Sequence, residues 1–328
     1  MRATTTAALV GAALMALAST ATAQAPASAP GSAGSYPNQM VKIVVPFSAG
    51  SVTDGLARII ADKLTGLWKQ QVIVENRPGL PGTTAVAKSQ PDGYTLMLTS
   101  NGHTIAGVIN KNIQFDPVKD FSGVSKVASV PMVAVVPPDL PVKSLKDFIA
   151  LAKEKPGKLN FSSAGLASTT FLSAELLKQA AGIDIMHVPY KGTPEATTAV
   201  VRGDVQMYFT PVPMAQELSA AGKVVPIAIN SNQRSAQLPN IPTVKESVPS
   251  YDYDSWFAIL APANTPRPIL DKISKDLATV LKLPDVVEKL QAQGAAPSPT
   301  TPEALDAQLK KETDFYAKVL HDAGVGAN

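Results

Sequence analysis

Short continuous apolar runs punctuate the first hundred residues of the chain. "KIVVPF" (residues 42–47), "QVIVEN" (71–76) and "YTLMLTS" (94–100) have the length and β-branched content of buried strands. Between the first two, Leu56, Ile59, Ile60 and Leu64 recur at helical spacing. This β-α-β order predicts a parallel sheet with helices on its faces. "PMVAVVP" (131–137) reads as a further strand. The helix after it has Ser144 as N-cap and Gly157 as terminator. The rhythm then restarts with strand "KLNFSS", helix "TTFLSAELLKQAAG" closed by Gly182, strand "IDIMHVPY", helix "PEATTAVVRG" and strands "VQMYFT" and "VVPIAIN". A late strand, "SWFAILAP" (255–262), precedes three helical segments near 266–281, 285–293 and 302–323. One strand with helices cannot build a core of its own, so the chain is expected to return and complete its first domain. The predicted organisation is two α/β lobes, residues 36–130 with 252–328 and residues 131–251, joined by two crossings around a cleft.

The first 35 residues fall outside this rhythm. Arg2, the apolar run "AALVGAALMALA" and the small-x-small site Ala21-Thr22-Ala23 make residues 1–23 a predicted secretory signal peptide. Its apolar run is too short for a stable span, and no later stretch is longer. The Pro/Ser/Ala/Gly-rich residues 24–35 read as a flexible leader. The expected protein is exported and soluble, with the periplasm as its natural compartment.

Composition narrows the chemistry. At 328 residues, two ordinary domains are expected. A net charge of +3, with its basic residues scattered, argues against a nucleic-acid partner. No cysteine is present, which excludes disulfides and thiolate chemistry. The three histidines, His103, His187 and His321, have no metal-ligand spacing. Neither a metal site nor a cofactor is expected.

In open α/β sheets, ligands bind beyond the carboxyl ends of the strands. The candidate turns there are "PFSAGSVTD" (46–54), "TSNGHT" (99–104), "SSAGLASTT" (162–170), "VPYKGTPE" (188–195) and "FTPVP" (209–213). They are rich in Ser, Thr, Gly and Asn, and most open a helix. Free N–H groups at a helix N-terminus favour an anion. Other readings stay open. Ser51 and Asp54 have capping-box spacing. Ser168 or Thr169 suits an ordinary N-cap. His187 suits a satisfied core position, and Tyr190 a strand end or a cleft wall. Phe171 falls off the Leu172–Leu176–Ala180 stripe, beside Glu175 and Lys178, so it needs a second surface to cover, the cleft being one candidate. Enzyme signals are weak. There is no G-x-S-x-G elbow, P-loop or G-x-G-x-x-G. A nucleophile at Ser162 or Ser163 would need His103 or His187 as base, and neither has an evident orienting partner.

The segments "IVVPFSAGSVTDGLARIIADKL", "VIVENRPGLPGTTAVAKSQPDGYTLML", "FDPVKDF", "LNFSSAG", "HVPYKG", "LPNIPTVKES" and "SWFAILAPANTP" occur in this order over residues 36–323. Together they resemble the tripartite tricarboxylate transporter solute receptors, the Bug or TctC-type periplasmic binding proteins. The resemblance implies a type II periplasmic-binding-protein fold. It also implies a small carboxylate in an interlobe cleft, delivery to membrane permease subunits, no catalysis and a monomer. The site it implies comprises Phe47, Ser48, Ala49, Gly50, Ser51, Thr53 and Asp54 with Ser100 and Asn101. Facing them are Ser163, Ala164, Gly165, Ser168, Thr169, Thr170, Phe171, Tyr190 and Thr210. This sequence departs from the family pattern at Ser51 and Val52, where the family has Gly and Pro. It departs again at Ala167 (Gly), Phe171 (His) and Thr210 (Asp). The last two remove fixed charge and favour a ligand with an apolar or aromatic body. An isomerase or hydrolase on a similar scaffold is the alternative reading. A surface adhesion or regulatory protein with no small-molecule site is the third.

Overall fold

Every residue of "MVAVV" and of "WFAILAP" is buried, and four of five in "VKIVV". Such runs satisfy their backbone only by pairing on both sides, so they become inner strands. The computed structural model describes residues 36–110, 112–235 and 237–322. The predicted signal peptide and leader lie outside them.

The first half opens with β1 (Val41–Val45), α1 (Val52–Trp68), β2 (Val72–Asn76), α2 (Leu80–Ala87) and β3 (Thr95–Ser100). A 3-10 turn over Asn101–Ile105 leads into α3 (Ala106–Ile109), and β4 (Phe121–Ser129) follows. The middle of the chain holds β5 (Met132–Val136), α4 (Leu145–Glu154), β6 (Asn160–Ser163), α5 (Thr169–Ala181) and β7 (Met186–Pro189). It continues with α6 (Thr193–Arg202), β8 (Tyr208–Pro211), α7 (Val212–Ala220), β9 (Val225–Ile229) and α8 (Val244–Ser247). The chain ends with β10 (Trp256–Pro262), α9 (Arg267–Val280), α10 (Pro284–Ala292), β11 (Ala296–Pro297) and α11 (Pro302–Asp322).

One sheet has the order β11-β4-β10-β3-β1-β2. β1 is parallel to β2 and β3, as the β-α-β rhythm predicts, while β10 runs antiparallel between β3 and β4. α1 covers this sheet through Leu56, Ile60 and Leu64, all buried at the predicted spacing. The middle of the chain builds differently. β5 lies antiparallel between β8 and β9, and β6 pairs parallel with β7. A parallel bridge from Phe161 to Met207 ties β6 to the approach to β8.

Two expectations shift. α4 has Ser144 as N-cap, its Oγ accepting the Asp147 N–H at 3.2 Å, but ends at Glu154, before Gly157. β4 was not legible as a strand. Its "FSGVSKVAS" carries Ser, Gly and Lys instead of an apolar run, yet most of it is buried. Gly123 has to be small there, because a Cβ would meet Leu305 and Asp306 of α11.

Between the sheets the chain crosses twice, and the crossings touch. Val130 N–H donates to Ser255 C=O at 2.9 Å. Asn230 braces the junction. Its Oδ1 accepts from Met132 N–H at 2.8 Å, and its Nδ2 donates to the hydroxyls of Ser173 and Ser255.

Candidate functional site

The turn after β1 enters α1 with Ser51 as N-cap, its Oγ accepting the Asp54 N–H at 3.2 Å. Asp54 then staples the turn. Its carboxylate accepts from Gly50 N–H, Arg58 Nε and Asn76 Nδ2 at 2.9–3.1 Å. Burial pushes its pKa up, but these hydrogen bonds and the Arg58 charge outweigh that and hold it below the usual carboxylate value. A carboxylate so occupied organises the loop and has little left for a ligand. The first two N–H groups of α1, on Val52 and Thr53, have no acceptor among the described residues.

Opposite stands the N-terminus of α5. Ser168 is its N-cap, accepting Phe171 N–H at 3.1 Å and donating to Gly165 C=O at 2.6 Å. Thr170 Oγ1 accepts from Ala164 N–H at 2.9 Å, which folds the Ser163–Ser168 turn back on the helix. Thr169 N–H is taken by Ser100, but Thr170 N–H has no acceptor among the described residues. A third helix, α6, begins at Thr193 beside them, and its first N–H is likewise without an acceptor.

These three termini converge on a narrow pocket of about 20 Å³. Ser51, Thr53, Ser100, Ser168, Thr169, Thr170 and Thr193 line it, with Phe47, Ala164, Met132 and Phe257. That volume holds one or two water-sized atoms, the scale of a carboxylate. Phe47 and Ala164 also wall a second, wider chamber of about 270 Å³. Its surface is mostly apolar, from Pro46, Pro78, Leu80, Ala106, Phe115, Leu166, Ala167 and Pro189. Thr83, Thr99, His103, Tyr190 and Lys191 add polar groups. Among the described residues no group of three or more His, Asp or Glu is placed to hold a metal.

Of the residues singled out from sequence, Phe47, Ser51, Thr53, Ser100, Ala164, Gly165, Ser168, Thr169, Thr170 and Tyr190 line one or both cavities. Ser48, Ala49 and Gly50 do not. Ser48 joins the β1 turn to the β7–α6 turn, its N–H donating to Lys191 C=O at 3.1 Å and its Oγ to Glu195 at 3.1 Å. Asn101 braces α5. Its Oδ1 accepts from Thr169 Oγ1 at 2.6 Å and from Tyr253 OH at 3.1 Å. Ser163 Oγ lies 2.6 Å from His187 Nε2 and also accepts from Gly165 N–H. Phe171 packs behind the turn against His187 and Phe161, its ring tilted to both with centroids 4.7 and 6.5 Å away, and is 3% exposed. Thr210 is buried in β8, and its hydroxyl has no partner among the described residues. Neither Phe171 nor Thr210 reaches either cavity.

Sequence reasoning left out the α2 side of the chamber (Pro78, Leu80, Thr83), along with Phe115 and Thr193. The Pro/Gly-rich "RPGLPGT" after β2 was the available signal, since it too is a turn at the carboxyl end of a strand.

The sequence profile of the tripartite tricarboxylate transporter family receptors matches residues 56–317. The chain belongs to that family. As such it is a periplasmic solute receptor that works with a transporter of the tripartite tricarboxylate type. It is 34% identical to Protein BugT of Bordetella pertussis over 302 residues, 90% of this chain and 93% of that one. An R. palustris protein solved with adipate superposes with a TM-score of 0.82 at 33% identity, covering 89% of this chain and all of that one. MatC from Rhodopseudomonas palustris, solved with bound malate, gives 0.81 at 29%, covering 87% and all of that chain. The receptor's two α/β lobes are therefore those of a type II periplasmic binding protein.

Proposed function

We propose that this receptor binds a small carboxylate with an apolar body and surrenders it unchanged to its permease. The carboxylate sits at the N-termini of α1, α5 and α6, and the body fills the adjoining chamber. The observation that carries this reading is the convergence of three helix N-termini with unclaimed N–H groups on one carboxylate-sized pocket. Each terminus contributes about 0.3–1 kcal/mol towards an anion, and up to about 2 when partly buried. That the relatives were solved with adipate and malate supports a carboxylate as ligand.

The Ser163–His187 pair is the feature an enzyme would use. Three facts favour a structural role. Ser163 is fully buried, and neither residue lines the cavities. Burial, then the Lys178 charge, pushes the His187 pKa down to about 4, too weak for a base at neutral pH.

Among the described residues, those of 36–130 with 252–322 form one lobe and those of 131–251 the other, and they open about the paired crossings at Val130 and Ser255. The mature protein begins after Ala23 and acts as a monomer. Titration calorimetry of paired carboxylates and their neutral amides tests the anion site. The acids bind and the amides do not. Equal binding of both, or recovery of a chemically altered acid, would overturn the reading. Intact-mass measurement of the periplasmic form tests the cleavage.

A further inference from the structure

The wide chamber has a polar spot on an otherwise apolar wall. Thr83 of α2, Thr99 of β3 and His103 of the 3-10 turn all line it. His103 is 1% exposed, stacked parallel to Phe115 at 6.1 Å and meeting Phe121 edge-on at 4.8 Å. Its Nε2 lies 2.8 Å from the carbonyl oxygen of Pro117. A carbonyl only accepts, so Nε2 carries the ring proton and Nδ1 is left as a bare lone pair. Burial holds the ring neutral, with its pKa pushed down to about 4. Thr83 and Thr99 are 5% and 2% exposed; their hydroxyls have no hydrogen-bond partner among the described residues, and neither is sealed off in the interior. The chamber is the space into which they open.

This spot discriminates between ligand groups. A second carboxylate offers no proton to Nδ1 and would set its lone pairs against that of the ring. Lys191, the one charged residue lining the chamber, is an exposed residue of the β7–α6 turn. A hydroxyl can donate to Nδ1 and accept from a threonine. A site built to hydrogen-bond a hydroxyl rejects the analogue that lacks it, because its buried polar groups are then left unpaired. The flat walls of Pro46, Phe47, Pro78 and Phe115 suit a ring. Building on the carboxylate reading above, we propose that the solute is a hydroxylated aromatic monocarboxylate, its acid group at the helix termini and its hydroxyl at Thr83, Thr99 and His103.

The experiment is calorimetric titration of the mature protein with benzoate, 3- and 4-hydroxybenzoate, 4-methoxybenzoate, terephthalate and adipate. One hydroxybenzoate is expected to bind at least about tenfold tighter than benzoate, the range a lost hydrogen bond spans. The methoxy acid, which cannot donate, gains nothing, and both diacids bind more weakly. Thr83→Val and Thr99→Val each shrink the ratio of hydroxybenzoate to benzoate affinity. His103→Phe keeps the aromatic stack and removes the acceptor, abolishing the advantage. The threonine variants keep the test sound where His103→Phe disturbs the Pro117 turn. The proposal is overturned if benzoate matches both hydroxybenzoates, if either diacid binds tighter, or if the advantage survives all three substitutions. If none of the six acids binds, the carboxylate reading falls with it. Binding of benzoate without discrimination overturns the hydroxyl assignment alone.

Discussion

The backbone N–H of Thr169 donates to Ser100 Oγ at 3.1 Å, joining positions 69 residues apart. Ser100 ends a strand of the six-stranded sheet, and Thr169 opens α5 on the other side of the cleft. The bond therefore ties the N-terminus of α5 to the end of β3. It also consumes one α5 donor and leaves Thr170 N–H as the one available.

Asn101 reinforces that joint, so Asn101→Leu should damage stability more than its size suggests. It would strand Thr169 Oγ1 and the carbonyl of Asp254, to which Nδ2 donates at 2.9 Å, and leave Tyr253 OH with the Thr169 carbonyl at 3.2 Å alone. At about 1–3 kcal/mol per buried unpaired group, with partial repair, a loss near 3 kcal/mol is expected. For a chain of this size that is a Tm drop of roughly 5 °C. Calorimetry on Asn101→Leu, Thr169→Val and the double variant should show less than additive losses. Additive losses would mean the two side chains do not act together.

Gly102 faces the backbone of Ala167 and Ser168 at the same joint. A Cβ there would lie 2.5–2.6 Å from backbone atoms of Ala167 and Ser168. Backbone cannot swing aside as a long side chain can, so Gly102→Ala should prop the cleft open. Carboxylate affinity should fall at least about tenfold, and scattering should show a larger radius of gyration at saturating acid. Gly222→Ala is the control. It too places alanine where glycine sits, here at φ +67° in open space, and should cost only local strain of about 1 kcal/mol. Equal affinities for the two variants would remove Gly102 from the closing contact.

Most strands were legible because their apolar runs are continuous, and the turns that line the narrow pocket because Ser, Thr and Gly recur where helices open. Phe171 and Glu175 show where legibility stopped. A helical wheel assumes one covering surface, so both fell on the polar side. In the structure α5 is buried from Thr169 to Leu177, covered on more than one face. Glu175 sits inside with one oxygen bound by Lys178 and the other unpartnered. Asp54 could not be placed from sequence either. Its partners Gly50 and Arg58 are local, but Asn76 comes from the end of β2, a pairing set by sheet register.

His103 and His187 make stability depend on pH. Both have pKa values pushed down to about 4 by burial, with Lys178 adding to the effect at His187. In the unfolded chain they take up protons near pH 6.5. Between about pH 6.5 and 4 the unfolded state binds protons that the native state refuses. Stability is therefore full above that window and falls as pH drops through it. A single fully expressed site is worth about 3 kcal/mol. Urea denaturation across this range should show the loss, and His187→Asn should flatten the slope by close to one proton. An unchanged slope in that variant would mean that His187 titrates normally in the folded protein.

The last prediction separates the chamber wall from what stands behind it. Leu166 lines the wide chamber and is 39% exposed, an apolar side chain held towards open space at the tip of the α5 turn. A bound apolar body would cover it, at roughly 25 cal/mol per Å² of apolar surface removed from water. Leu166→Asn exchanges that surface for an amide the ligand cannot pair. Affinity for an aromatic acid should fall about five- to twentyfold, with little change in Tm, because the side chain supports no core. Phe171 should behave in the opposite way. It is packed on Phe161 and His187 and touches neither cavity. Phe171→Leu should cost about 1–3 kcal/mol of stability through lost packing and leave the ranking of acids intact. Phe171→His would restore the residue common in the family without bringing a cation to the ligand. The new ring would stand against His187 in a buried stack and stay neutral. Parallel titrations of wild type, Leu166→Asn, Phe171→Leu and Phe171→His with an aromatic monoacid, an aliphatic diacid and citrate decide the matter. If Phe171→His reverses the ranking while Leu166→Asn leaves it untouched, the ligand lies deeper than the chamber and against α5 itself.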